Sequence, residues 1–100
     1  EEIIMRTWKQ RIYLRGKANE LNPIVHVGKE GLSQGVIEDL DEALDDHELV
    51  KVRVLDNSLS DVKSVGHELA ETCNAEVVQV IGNVFILFRQ NQEEPIYKLP

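Results

Sequence analysis

The chain has 100 residues, 42% of them hydrophobic and 29% charged, with a formal net charge of −7. That is the length of one domain with a single core, and no apolar run approaches the roughly 18 residues of a membrane span. No secretory-signal pattern opens the sequence, and the lone Cys73 has no internal disulfide partner. The expectation is a cytoplasmic protein without a membrane or small-molecule partner and without a cofactor.

Thr7 to about Leu21 has helical spacing. Thr7 serves as cap, and Tyr13, Leu14, Lys17, Ala18 and Leu21 fall on one side. Arg11 and Arg15 lie one turn apart on another side, in line with Trp8 and Ile12. Pro23 ends the helix and Ile24 to Val27 is a short strand candidate. A glycine loop, Gly28-Lys29-Glu30-Gly31, follows. Ser33 then caps a second helix whose buried stripe is Val36, Ile37, Leu40, Leu44 and His47. Its other side carries Glu38, Asp41, Glu42 and Asp45.

"ELVKVRVL" alternates Val50, Val52 and Val54 with Lys51 and Arg53, the period of a strand. "DNSLSD" is a loop ending with Ser60 as the cap of a third helix, which buries Val62, Val65, Leu69 and Cys73. Asn74 stands where a left-handed residue is wanted. "AEVVQVIGNVFILFR" is a hairpin turning at Gly82-Asn83. The tail from residue 90 to 100 is polar, then weakly apolar, and is expected to be partly mobile. The order α-β-α-β-α-β-β, with no internal repeat or linker, predicts one domain. Its fold class is α/β, a two-layer sandwich on a mixed four-stranded sheet, with Lys51, Arg53, His26 and Gln79 on the face opposite the valines.

Enzyme motifs fail on spacing. In the glycine loop the lysine precedes the second glycine, unlike a Walker loop, and no G-x-G-x-x-G is present. His26, His47, His67 and Cys73 have no metal-ligand spacing, and Asp45-Asp46 and Glu93-Glu94 are adjacent pairs rather than converging carboxylates. The expectation is a non-enzymatic protein.

Charge is divided along the chain. The first 31 residues hold six basic and four acidic side chains, and the other 69 hold five and fourteen. Between Met5 and Asn19 there are five basic residues and no acidic one. A domain of this length has a radius of gyration of about 13 Å, beyond the Debye length of about 8 Å at physiological salt. An acidic side therefore leaves a basic side free to meet a polyanion.

The glycine loop has two readings. It is a tight turn, or it is a backbone cradle for phosphate at the N-terminus of the second helix, with Lys29 adding charge. A comparable G-x-x-G loop lets KH domains clamp a nucleic-acid backbone.

The blocks "KQRIYLRGKANELNPIVHVGKEGL", "VIEDLDEAL", "HELVKVRVL", "ELAETCNAEVVQVIGNVFILFR" and "IYKLP" run in order from Met5 to Leu99. In them the sequence resembles the CRM-domain family (chloroplast RNA splicing and ribosome maturation), specifically its small bacterial YhbY-like members. The resemblance implies a single RNA-binding domain, an α/β sandwich similar to the C-terminal domain of translation initiation factor three. It implies association with ribosomal RNA in precursors of the large subunit, as for bacterial members; plant relatives assist group II intron splicing. The implied RNA contact is the loop Gly28, Lys29, Glu30 and Gly31, flanked by Lys9, Arg11, Arg15 and Lys17, with Lys51 and Arg53 on the sheet. Two residues depart from the family pattern. Glu30 places a negative charge in the loop. Trp8 stands where relatives often have glycine, and either stacks on a base or folds back over Ile12. The alternative function is a protein-interaction module, in which the acidic second-helix face meets a basic ribosomal or assembly protein.

Overall fold

The computed structural model describes residues 7–55 and 62–100. Ser60, the expected cap of the third helix, lies outside them. The first helix, α1 (Trp8–Ala18), begins with a reciprocal cap. Thr7 Oγ1 accepts from Gln10 N–H and Gln10 Oε1 accepts from Thr7 N–H, both at 3.1 Å, so two donors that have no helical partner are satisfied. Pro23, with its fixed φ and missing N–H, comes before β1 (Val25–Val27). Ser33 caps α2 (Gln34–His47), its hydroxyl accepting from Val36 N–H as the sequence predicts. β2 (Leu49–Val54), α3 (Val62–Thr72), β3 (Glu76–Ile81) and β4 (Val84–Phe88) complete the expected order.

The four strands form one mixed sheet in the order β1-β2-β4-β3. β1 and β2 are parallel, and β4 runs antiparallel to both β2 and β3. The last strand thus enters the middle of the sheet, between two strands that run the same way. Both crossovers, β1-α2-β2 and β2-α3-β3, step in the same direction across the sheet, which for a single handedness places both helices on one face. That face holds the larger core: Val25, Val27, Val50, Val52, Val54, Phe85 and Leu87 from the strands meet Leu40, Ala43, Leu44, Leu69, Ala70 and Cys73. α3 crosses it at Gly66, where a Cβ would stand 2.1 Å from the Phe85 ring. Only glycine allows that approach. His47, expected on the buried stripe of α2, is instead exposed at the helix end, since Ala43 and Leu44 already fill the core side there.

The opposite face carries a second, smaller core. Leu14 and Ala18 of α1 pack on Leu49, Val78, Ile86 and Phe88, with Tyr13, Leu21, Tyr97 and Leu99 at the margin. α2, α3 and the sheet are the two layers expected, and α1 adds a partial third. A bulge between Val77 and Gln79 gives β3 one extra residue, and Val78 enters this second core. The segment expected to be partly mobile, residues 90–100, supplies Tyr97 and Leu99 to it.

That segment is anchored by Glu48, which sequence reasoning passed over. Glu48 follows α2 with φ +64° and is fully buried. Its Oε2 accepts from Asn91 N–H at 2.7 Å, and its Oε1 accepts from Ile96 and Tyr97 N–H, each at 2.9 Å. Left-handed backbone at a non-glycine residue costs on the order of 1–3 kcal/mol. Three backbone donors converging on one buried carboxylate offset it, because a carboxylate stripped of water is tolerated only when hydrogen-bonded.

Candidate nucleic-acid interface

Gly28 to Gly31 forms a tight turn closed by a hydrogen bond from Gly31 N–H to Gly28 O at 3.0 Å, with Lys29 and Glu30 exposed at its corners. Its two glycines have different causes. Gly31 has φ +69°, where a side chain is strained, so the turn itself requires it. Gly28 is not at positive φ, and a Cβ added there meets nothing within 4 Å. Among the described residues nothing crowds position 28, so the backbone there is open to close approach. Three residues beyond the turn α2 begins; its first N–H groups have no helical acceptors, that of Val36 being taken by the Ser33 hydroxyl, and the positive end of the helix dipole lies there.

The turn stands at the carboxyl end of β1, level with the end of β2: Leu55 N–H donates to Val27 O at 2.8 Å. The Gly82-Asn83 turn joins them there. Asn83 O accepts from Val54 N–H at 2.8 Å, and Asn83 Nδ2 donates to Val54 O at 2.9 Å. Gly82 alone of the pair has positive φ, +58°, the arrangement of a type II′ connection.

On the α1 side of the sheet, the strand register makes a row from His26 to Arg53 to Val84 to Ile81. α1 does not seal this row: His26 and Arg53 are exposed and Ile81 is 53% exposed. Lys51, two residues earlier on β2, is half-buried nearer the covered half. Lys51, Arg53 and His26 are therefore on the face opposite the core valines, as the alternation predicts. Gln79, opposite Ile86 across the bulge, is on the same side.

Lys9, Arg11 and Lys17 are exposed on α1, which packs on this same face. Arg15 differs from Arg11. Its guanidinium lies over the Trp8 ring at 5.3 Å from the centroid, and its buried Nε has no hydrogen-bond partner among the described residues. Trp8 is 65% exposed and Ile12 50%. Trp8 therefore does not fold back into the domain body; Arg15 occupies one side of the indole. Lys17 Nζ sits 5.6 Å from the Tyr13 ring centroid.

The acidic side is partly committed within the fold. Arg89, just after β4, donates to Asp41 Oδ1 at 2.7 Å, Asp45 Oδ1 at 2.8 Å and the carbonyls of Asp41 and Cys73. Two of the four carboxylates expected on the α2 face are thus used to join α2, α3 and β4. Burial alone would lower the Arg89 pKa, but the bond and charge of Asp41, then Asp45, hold it above its ordinary value. Burial pushes the Cys73 thiol up, Asp41 adding to the shift and Arg89 opposing it. Cys73 is a buried core side chain whose thiolate form is disfavoured. Among the described residues no group of three or more His, Cys, Asp or Glu is arranged to hold a metal, and no helix is long and apolar enough to cross a membrane.

Fold and site together define a small α/β domain with a bare glycine turn and a half-open basic sheet face on one side, and an internally paired acidic helix on the other. The chain belongs to the CRS1 / YhbY (CRM) domain family, which it matches over residues 7–89. It is 40% identical over 96 residues to the "Probable RNA-binding protein YqeI" of Bacillus subtilis, an alignment covering 96% of this chain and 100% of that one. It is 35% identical to a protein of Haemophilus influenzae named "RNA-binding protein", over 88% of this chain and 89% of that one. The solution structure of a Staphylococcus aureus protein superposes with a TM-score of 0.79 at 38% identity, covering 96% of this chain and all of that one.

Proposed function

We propose that this protein is a non-enzymatic, cytoplasmic RNA-binding protein that associates with ribosomal RNA in precursors of the large ribosomal subunit. The observation that carries the reading is the open backbone at Gly28, where a Cβ would meet nothing among the described residues, beside exposed Lys29 and the N-terminus of α2. Membership of a family whose members include proteins named as RNA-binding supports it. The Gly28 and Gly31 backbone, with Lys29, would take the phosphate backbone. Lys9, Arg11 and Lys17 would add sequence-independent attraction, with Arg53 and Lys51 extending it onto the sheet. Trp8, exposed with Arg15 across one face, is suited to stack on an unpaired base. Glu30 would oppose phosphate locally. α2 packs on the opposite face of the sheet from α1, so much of its acidic charge is screened from a strand lying along α1 at a Debye length of about 8 Å.

The test is gradient sedimentation of cell extract with and without ribonuclease. Co-migration with large-subunit precursors that is lost on limited RNA digestion is the expected result. Co-migration that survives complete digestion would instead favour a protein partner on the acidic face expected of α2, where Glu38 and Glu42 are not bound by Arg89.

A further inference from the structure

A cavity of about 400 Å³ lies at the lower end of the α1-side face, between the connection from α1 to β1, the start of β2 and the C-terminal segment. Its volume falls in the range of small-ligand sites, about 300–1,000 Å³. Leu21, Ile24, Leu49, Ile96 and Tyr97 supply apolar wall, and Lys51 stands on the wall of β2. Ile24 and Ile96 are 52% and 54% exposed, so these apolar side chains face solvent across a concave surface rather than filling core. Exposed apolar surface gathered in a concavity calls for an occupant.

We propose that this cavity takes a single unstacked nucleobase of the bound RNA strand, an inference that rests on the RNA-binding reading above. Continuity with the proposed interface selects the occupant. From the glycine turn at Gly28, four residues back along β1 lead to Ile24 at the cavity, about 13 Å at the rise of a strand. His26 and Arg53 lie side by side along that path, and Lys51 follows on β2. A single strand held at the turn and drawn along these cations arrives at the cavity with its bases free to rotate inward. Glu20 stands on the wall with Lys51 and His47, so the polar part of the lining is of mixed charge and the rest is mainly apolar, which suits a base better than a phosphate. The neutral, flat, apolar-faced part of a nucleotide fits these walls, and Lys51 remains for the phosphate outside. The Tyr97 ring is fixed edge-on against Phe88, centroids 6.4 Å apart at 72°, and its backbone N–H is held by Glu48, so this wall is preformed. Stacking on such a wall typically contributes about 1–3 kcal/mol per base, which is roughly a 5- to 150-fold change in affinity.

The test uses the full chain and a short single-stranded RNA of mixed sequence. In an isotope-edited NMR experiment on the wild-type complex, nuclear Overhauser contacts are expected between RNA base protons and the methyl groups of Ile24 and Ile96. An Ile24→Ser/Ile96→Ser variant, both positions being more than half exposed, should lose at least fivefold in affinity while keeping the wild-type salt slope, because the lost contact is uncharged. Wild-type RNA binding with no base contacts to these methyls, and equal affinity in the variant, would overturn the cavity proposal and leave the RNA-binding reading standing. No binding of RNA to the wild type at all would overturn both.

Discussion

The two faces of one sheet are used differently. Under α2 and α3, side chains from β1, β2 and β4 are sealed, those of β3 are partly buried, and α3 comes so close that Gly66 rests on the Phe85 ring. Under α1, only Leu49, Val78, Ile86 and Phe88 are fully covered, while His26, Arg53 and Ile81 remain open. The first face holds the larger of the two cores. Beside its smaller core the second carries exposed charge and exposed apolar surface, which a sealed core would not tolerate. In the proposed reading the larger core lies on one side of the sheet and the RNA contacts on the other.

The sharpest way to break that comparison is at Gly66. Gly66→Ala forces a methyl group into the Phe85 ring, and overpacking of this kind costs on the order of 1–3 kcal/mol or more. Thermal or urea unfolding should place this variant at the upper end of that range. A change below a few tenths of a kcal/mol would mean the α3 contact is looser than described. Glu48→Ala comes next. It leaves three backbone N–H groups without their acceptor, at about 1–3 kcal/mol, and frees the segment that carries Tyr97 and Leu99. Glu48→Gln should recover part of the loss, since its amide keeps one accepting oxygen. Amide hydrogen exchange should rise first at residues 91–97, before the sealed face opens.

A smaller effect concerns pH. Burial, then the charge of Glu48, then Tyr13 and Glu20, hold the Tyr97 phenol above its ordinary pKa of 10.0. A group whose pKa is raised by folding favours the folded state while protonated. Its contribution is complete below about pH 10 and is lost as pH rises through the higher folded value. Tyr97→Phe should therefore leave neutral stability nearly unchanged and flatten the alkaline decline. Alkaline curves that coincide for the two proteins would show that Tyr97 ionises freely.

Features governed by near neighbours were legible in the sequence. The Thr7 and Ser33 caps, the left-handed Asn74 and the Gly82 turn depend on residues within a few positions, and the alternation in β2 assigns its two faces. Features that depend on distant partners were not. Glu48 looks like a solvent-facing residue until Asn91, Ile96 and Tyr97 are seen around it, more than forty residues away. The partners of Arg89, Asp41 and Asp45, come from α2, also more than forty residues away. The entry of β4 between β2 and β3 likewise follows from pairing that no local period records. The candidate site divides in the same way. The glycine turn and basic helix were visible as motifs, while the open row from His26 to Ile81 needed the strand register, and the stack of Arg15 on Trp8 needed side-chain positions.

The most direct test of the division between faces is the salt dependence of binding to single-stranded RNA. If about four phosphates are neutralised on the open side, log affinity against log salt should have a slope near −3, at about −0.7 per contact. Lys29→Ala should reduce its magnitude by about 0.7, and Arg11→Glu/Arg15→Glu, if folded, should reduce it further and weaken binding more than tenfold. Affinity and slope unchanged in both folded variants would contradict the assignment of the glycine turn and α1 as the RNA-binding side.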